Sequence, residues 1–238
     1  MPVLVPPRHY GTELLDHPSV DPELVLRSVR DITRANRAFR GTTAAISEIA
    51  RHFTVLGRRA TLLDVGTGLG DVPHAARCAA AARGIALETI GVDCGFALVA
   101  RARERLSEVV CASGEALPFA TGSVDVAMCS QTLHHFRDEH ASALLRELDR
   151  VARVAVVVSD LRRSWIAAGG FWASSFALGF HPITRHDGVL SVLRGFTDDE
   201  MRDTVHAAVG VRPRVRRRLG FRMTTSWTPT HIRREETA

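Results

Sequence analysis

The chain has no lysine: all 31 of its basic side chains are arginine. It also lacks a basic stretch running into an apolar one at its N-terminus, so no secretory signal is evident. Its four cysteines, Cys78, Cys94, Cys111 and Cys129, lie far apart and form no CxxC pair. Thiols so placed read as reduced side chains in a cytoplasmic core, holding no metal. There is no GxSxG elbow, no HExxH and no phosphate-cradling P-loop, so no second catalytic system competes for attention. Internal repeats and low-complexity tracts are absent as well.

What is present is an ordinary globular composition. The 238 residues are 45% hydrophobic and 24% charged, enough for one large domain with its own core. The net charge of +5 invites a nucleic-acid partner. Yet the arginines are spread over nearly every segment. The densest run, Arg212-Pro213-Arg214-Val215-Arg216-Arg217-Arg218, largely alternates with apolar residues, as a half-exposed strand does. A solvated strand face is preferred there to an RNA track.

Residues 1–20 are proline-rich and read as irregular. Asp21-Pro22-Glu23 reads as a helix start, with a capping side chain, proline at the first helical position and an acid in the first turn. Helices are predicted over 22–39 and 42–55, broken near Gly41. From residue 60 strand and helix alternate, with strands at 61–66, 87–92, 108–111, 124–129 and 153–159 and helices at 71–83, 95–106 and 138–151. Short buried strands separated by helices of this length signal a parallel sheet covered on both faces. Thr197-Asp198-Asp199-Glu200 is a capping box opening a helix to about residue 209. Two further strands, 211–219 and 221–227, flank Gly220 as an antiparallel hairpin.

The segment Ser164–Thr184 carries no charged side chain and includes Trp165, Phe171, Trp172, Phe176 and Phe180. Gly169, Gly170, Ser174, Ser175, Gly179 and His181 dilute it too much for a membrane span. A buried helical cover over a substrate pocket is preferred to a dimer or membrane-surface contact.

The sharpest signal is Leu62-Leu63-Asp64-Val65-Gly66-Thr67-Gly68-Leu69-Gly70-Asp71, an apolar strand entering a glycine turn that opens a helix. A dinucleotide fingerprint would place its third glycine at position 71, where this chain has Asp71. A carboxylate at that helix N-terminus repels a pyrophosphate. A phosphate-free cofactor with a positive centre suits the turn better, and S-adenosylmethionine, a sulfonium, is one.

Three further motifs follow in order: Ile90-Gly91-Val92-Asp93, then Glu115-Ala116-Leu117-Pro118-Phe119 with Ser123-Val124-Asp125-Val126, then Ser130-Gln131-Thr132-Leu133-His134-His135-Phe136. With them, residues 55–160 resemble the class I S-adenosylmethionine-dependent methyltransferases, in the small-molecule branch that includes quinone-pathway enzymes. The resemblance implies an α/β fold: a Rossmann-like, seven-stranded, mostly parallel sheet with helices on both faces and a C-terminal antiparallel hairpin. A helical N-terminal extension or lid would occupy 1–55 and the cofactor-binding domain 56–238, with a substrate-cover insertion near 161–195.

It implies roles too. Gly66, Thr67, Gly68 and Gly70 let backbone approach the cofactor's methionine part, and Asp64 and Asp71 place negative charge near its ammonium and sulfonium, Asp71 reading equally well as an acid that complements the dipole of the helix it opens. Asp93 ends a strand where a carboxylate accepts from a ribose diol. Cys94 lies beside the adenine edge. Relatives carry an aspartate where this chain has Ser113, so adenine binding leans on the amides of Gly114 and Glu115. Ser130 and Gln131 approach the methionine moiety. His134, His135 and Asp160 are candidate bases for an acceptor that arrives protonated, with His181 and His186 behind them. Arg37 and Arg40 read as salt-bridged surface arginines, a reading preferred to reaching the cofactor carboxylate from the N-terminal helices.

The chain is therefore expected to be a cytoplasmic methyltransferase, monomer or homodimer, acting on a small apolar or aromatic metabolite such as a phenol, a quinone precursor or a polyketide-like compound. Attack through oxygen is preferred to carbon or nitrogen. Two alternatives are an RNA or protein methyltransferase using the arginine-rich strand, and a non-catalytic cofactor-binding subunit.

Overall fold

The computed structural model describes residues 5–16 and 20–235. Part of the proline-rich N-terminal stretch therefore lies outside the described residues. A short 3-10 turn at Leu14–Asp16 interrupts the stretch expected to be irregular, and two α-helices follow, α1 (Pro22–Ala38) and α2 (Gly41–Ile49). Asp21 caps α1 by accepting from the Glu23 amide, with Pro22 at the first helical position. α2 stops at Ile49, short of the predicted residue 55. The chain turns there so that Phe53 is buried beneath the sheet with Ile49.

Strand and helix then alternate as β1 (Arg59–Val65), α3 (Asp71–Ala81), β2 (Ala86–Asp93), α4 (Phe96–Ala102), β3 (Glu108–Cys111), β4 (Val124–Ser130), α5 (Asp138–Val151) and β5 (Ala152–Leu161). α6 (Trp165–Ala177), α7 (Pro182–Arg194) and α8 (Asp198–Val209) follow, then β6 (Arg216–Arg218), β7 (Arg222–Trp227) and α9 (Thr230–Glu235). The seven strands form one sheet in the order β3-β2-β1-β4-β5-β7-β6. The first five run parallel; β7 is antiparallel to β5, and β6 to β7.

Side-chain alternation along the central strands divides the core in two. Leu63 and Val65 of β1, Ala127 and Cys129 of β4 and Val156 and Val158 of β5 join α5 and α8 on one face. Leu62, Val126, Met128 and Val157 join α2 and α3 on the other. Chain order reverses direction between β1 and β4, and the crevice outside the carboxyl ends of strands at such a point is where open α/β sheets bind ligands.

Four expectations are corrected here. The strand predicted at 211–219 pairs only over Arg216–Arg218, because Pro213 has no amide for a ladder. Arg216 and Arg218 do not face solvent as a charged stripe: both turn onto the fully buried Glu48 of α2, at 3.0 and 2.7 Å. Arg217 pairs with Asp198 at 2.7 Å and Arg212 with Asp203 at 3.6 Å, so four of the five arginines of this run are held by carboxylates. The aromatic segment is not a uniformly buried cover. It forms two helices, and Trp165, Ile166, Trp172 and Phe176 of α6 point outward, each about half exposed. Only Phe171 and Phe180 turn inward, Phe171 packing between Phe39 and Phe180. Finally, the cysteines are free thiols, but three are exposed and only Cys129 is in the core. Among the described residues, no helix is long and apolar enough to cross a membrane.

Candidate functional site

The glycine turn sits at the end of β1 with the geometry its residues demand. Gly66, Gly68 and Gly70 have φ of 74°, 56° and 72°, a region that strains residues with a Cβ. A Cβ on Gly66 would lie 2.3 Å from Thr132 Oγ1, so glycine is also what lets the loop after β4 close on the turn. The amides of Gly66 and Thr67 donate to Val92 O, tying the turn to β2.

Asp93 closes β2, and its carboxylate is built into this turn: Oδ2 accepts from Gly68 N and Oδ1 from Gly95 N, each at 2.9 Å. An ionised carboxylate offers about four acceptor positions, so roughly two stay open for a diol.

Asp64 is buried, its Oδ2 accepting from Thr67 Oγ1 at 3.0 Å while its Oδ1 has no partner. Burial, with Asp71 and Asp93 nearby, pushes its carboxyl up to about 8. Asp71, in the first turn of α3, also has an unpartnered buried oxygen, Oδ2. Burial raises its carboxyl too, opposed by Arg37, Arg105 and Thr33. Of the two N-terminal arginines, Arg37 thus lies within electrostatic reach of the turn, whereas Arg40 takes the left-handed conformation preceding α2.

The far side of the crevice is formed by β4 and β5. Ser130 Oγ and Gln131 Nε2 are both buried without partners. The loop then places His134 against Asp160: His134 Nδ1 lies 2.7 Å from Asp160 Oδ1, and the His134 amide donates to Asp160 Oδ2 at 3.1 Å. Asp160 is not past the fifth strand as predicted but within it, fully buried. Its carboxyl lies below the usual range because His134 and the Leu161 amide outweigh its burial. Burial lowers the His134 imidazole and keeps it neutral at pH 7. With Nδ1 protonated toward Asp160, Nε2 is an acceptor, buried and unpartnered.

His135 stacks on His134 with ring centroids 4.4 Å apart, and its Nδ1 lies 3.9 Å from Glu13. Glu13, His134 and His135 could together approach a cation, but Arg194 already reaches Glu13 at 3.4 Å. His181 caps α7 by accepting from the Ile183 amide, and His186 rests on Asp187.

At the opposite end, toward β2 and β3, Cys94 and Ser113 are exposed. Ser113 Oγ accepts from the Glu115 amide at 3.2 Å, so that amide is already engaged. The Glu115 carboxylate is drawn outward to His140 at 2.7 Å. Gly114 packs where a Cβ would lie 2.8 Å from Val65, holding the loop against the end of β1.

The sequence pattern did not single out Asn36 or Arg222. Asn36 Oδ1 and Arg222 Nε are buried and unpartnered near Gln131. Composition carried one clue: Asn36 and Gln131 are the only two carboxamides in the chain. Nothing distinguishes Arg222 from the other arginines until β7 pairs with β5 and buries it. Its guanidinium is pushed down to about 10 by that burial.

The crevice thus presents unpartnered buried acceptors at Asp64 and Asp71 and an open carboxylate at Asp93, an acceptor set fitted to an ammonium, a sulfonium and a ribose rather than to phosphates. Residues 63–157 match the profile of a family described as methyltransferase domain. No curated protein sequence matches the chain. Among solved structures, an S-adenosylmethionine-dependent methyltransferase from Aquifex aeolicus is 17% identical, with TM-score 0.60 over 87% of this chain and 98% of that one. A putative O-methyltransferase from Nostoc punctiforme is 13% identical, with TM-score 0.62 over 93% of this chain and 64% of its own. Magnesium protoporphyrin IX methyltransferase from Synechocystis, with S-adenosylmethionine bound, is 13% identical, with TM-score 0.52 over 88% and 98% of the two chains. Residues 63–157 thus match a methyltransferase-domain family, and the sheet built around them has the fold of the S-adenosylmethionine-dependent methyltransferases.

Proposed function

We propose that this chain moves a methyl group from S-adenosylmethionine to a small apolar or aromatic acceptor, through oxygen in preference to carbon or nitrogen. The observation that carries the cofactor assignment is the turn itself: Asp93 is bonded into it while Asp64 Oδ1 and Asp71 Oδ2 stay buried and unpartnered. Asp93 would hold the ribose diol, and Asp64 and Asp71 the cationic end. Gly66, Thr67, Gly68 and Gly70 would supply close backbone, with Ser130 and Gln131 beside the methionine part. Cys94, Ser113, Gly114 and Glu115 would border the adenine. When bound, the cofactor supplies an already activated methyl carbon. The chain's own task is to align an acceptor with it, a contribution worth up to about 7–11 kcal/mol.

α1 belongs to this task as a lid. Val29 lies 3.5 Å from where a Gly68 Cβ would be, which places the helix directly over the turn. Support for an apolar acceptor comes from the inward rings of Phe39, Phe171 and Phe180, whose successive centroids are 5.9 and 6.1 Å apart. A small-molecule acceptor is preferred to RNA because carboxylates already hold Arg212, Arg216, Arg217 and Arg218. His134 serves as the base, and Asp160 positions it by fixing the tautomer; His135 is a secondary candidate.

The test has two parts. Calorimetric titration with S-adenosylmethionine should show binding, and a phenolic panel should release S-adenosylhomocysteine with at least one acceptor. Heat without turnover on any panel member would favour the non-catalytic alternative. His134→Gln is expected to lower turnover about 10²–10⁴-fold with cofactor affinity unchanged. The wild-type rate should fall as pH drops through the imidazole pKa, which burial sets below the usual value. A variant that keeps both rate and pH profile removes His134 from the mechanism.

Asp64 predicts a proton linkage. Its folded carboxyl titrates near 8, well above an unfolded aspartate, so the apo protein carries that proton at pH 7. The sign follows: stability from this group is complete at acid pH and is lost as pH rises through about 8. A cofactor ammonium beside it favours the carboxylate, so binding releases a proton and tightens as pH rises toward about 8. Binding enthalpies measured in phosphate and in Tris should therefore differ, and Asp64→Asn should abolish the difference. Equal enthalpies in the two buffers would refute the contact.

A further inference from the structure

Beside the transfer site, where the α1–α2 corner meets the ends of β4, β5 and β7, lies a polar cluster with no partner. A Cβ added to Gly41 would stand 3.1 Å from Asn36 Oδ1, 3.2 Å from Gln131 Nε2 and 3.2 Å from Arg222 Nε. All three atoms are buried and lack hydrogen bonds. Arg222 is 5% exposed, and its side chain makes no ion pair or hydrogen bond with any described residue. The anion it feels is Asp160, whose oxygens are committed to His134 and to the Leu161 amide. A buried, unpaired guanidinium costs folding free energy, and natural proteins pair or neutralise such groups.

The surrounding elements hold the cluster in place. A Cβ on Gly220, φ 73°, would fall 1.9 Å from Phe39 O, so the β6–β7 turn touches the end of α1 backbone to backbone. Glu48 bolts α2 to the same hairpin. Arg222 stands opposite Leu161 at the end of β5, and Gln131 follows the end of β4. Both are on the β4–β5 side of the crevice, with Asp93 at the end of β2 on the other.

We infer that Arg222 and Asn36, joined by Gln131 where the methionine part borders the acceptor, recognise a carboxylate carried by the methyl acceptor, an inference that rests on the transferase function proposed above. The guanidinium offers a planar fork matched to a carboxylate, and the Gln131 amide adds a donor. Asn36 Oδ1 remains for a hydroxyl of the same molecule. One cation with Asp160 nearby suits a monoanion and disfavours a phosphate dianion. A carboxylate held by a guanidinium and an amide is a poor nucleophile, so it is the handle and the methylated atom lies elsewhere on the acceptor.

The experiment begins with titration of the full chain by S-adenosylhomocysteine; absence of binding would overturn the transferase function itself. With that product bound, benzoate, phenylacetate and salicylate are then compared with the corresponding amides by thermal shift and calorimetry. At least one carboxylate should bind, and its amide at least tenfold more weakly. Arg222→Met should weaken that carboxylate at least tenfold, leave S-adenosylhomocysteine affinity unchanged and not lower the apo melting temperature, because the cation removed had no partner. Asn36→Asp, nearly isosteric, supplies an internal anion to Arg222; it should raise the melting temperature and abolish carboxylate binding. This second variant keeps the inference open to refutation even if Arg222→Met fails to fold. Carboxylates and amides binding alike, or none of the carboxylates binding, overturns it. So does Arg222→Met weakening S-adenosylhomocysteine, which would make the cofactor's own carboxylate the partner.

Discussion

Asp93→Ala is expected to weaken S-adenosylmethionine binding by at least about 1.5–3 kcal/mol, the scale of one hydrogen bond to a charged group. In affinity that is roughly ten- to 150-fold. The loss has two sources. A ribose diol would lose its carboxylate acceptor, and the amides of Gly68 and Gly95, which now donate to Asp93 at 2.9 Å each, would lose theirs. The second source loosens the turn that must already be formed when the cofactor arrives. Asp93→Asn separates them, because one oxygen survives to accept while the charge is gone, and it should fall between wild type and alanine. Calorimetry gives the affinities, and a thermal melt checks that the fold persists. Unchanged affinity in Asp93→Ala would remove the ribose from the end of β2.

Glu48→Ala is expected to cost about 3–5 kcal/mol of stability, as breaking a buried charge cluster by deleting one partner usually does. That is a large fraction of the roughly 5–15 kcal/mol that holds a typical domain together. Glu48 is fully buried in α2 and uses both oxygens: Oε1 accepts from Arg216 and Ser226 at 3.0 and 2.7 Å, and Oε2 from Arg218 and Thr224 at 2.7 and 2.8 Å. These bonds outweigh its burial and hold its carboxyl below the usual range. A depressed folded pKa means the cluster's stabilisation is present above the unfolded glutamate pKa and is lost as pH falls through the folded one. Acid should therefore loosen the join between α2 and the β6–β7 hairpin. Urea denaturation of Glu48→Ala and Glu48→Gln measures the effect, with glutamine intermediate. A midpoint within error of wild type would show that the cluster contributes nothing net. The consequence reaches the site, because the same hairpin carries Arg222 to the crevice.

The glycine turn and the strand end beside it were legible in the chain for a local reason. Gly66 to Asp71 is one continuous turn whose φ values favour glycine at three places, and Asp93 ends the neighbouring strand. The His134–Asp160 pair was only half legible. His134 stood out in its motif, but Asp160 was placed beyond its strand, and their contact depends on the register of β4 with β5. The aromatic segment misled because spacing cannot say which face of α6 finds a partner: α7 receives Phe171, and Trp165, Trp172 and Phe176 are left outward. The arginine run misled for a related reason. Alternation indicated a strand with one charged face, but not that a buried carboxylate of α2 waited on the inner side for Arg216 and Arg218.

By itself, then, the sequence determined the alternation of strands and helices, the parallel sheet and the glycine turn, all set by periodicity and by backbone conformations confined to a few neighbouring residues. Tertiary structure alone decided which polar groups are left without partners. Asn36, Gln131 and Arg222 are far apart along the chain, and only the packing of α1, β4 and β7 around Gly41 removes water from all three without supplying a substitute. Burial depends on every element that covers a group, and so cannot be read from the residues beside it.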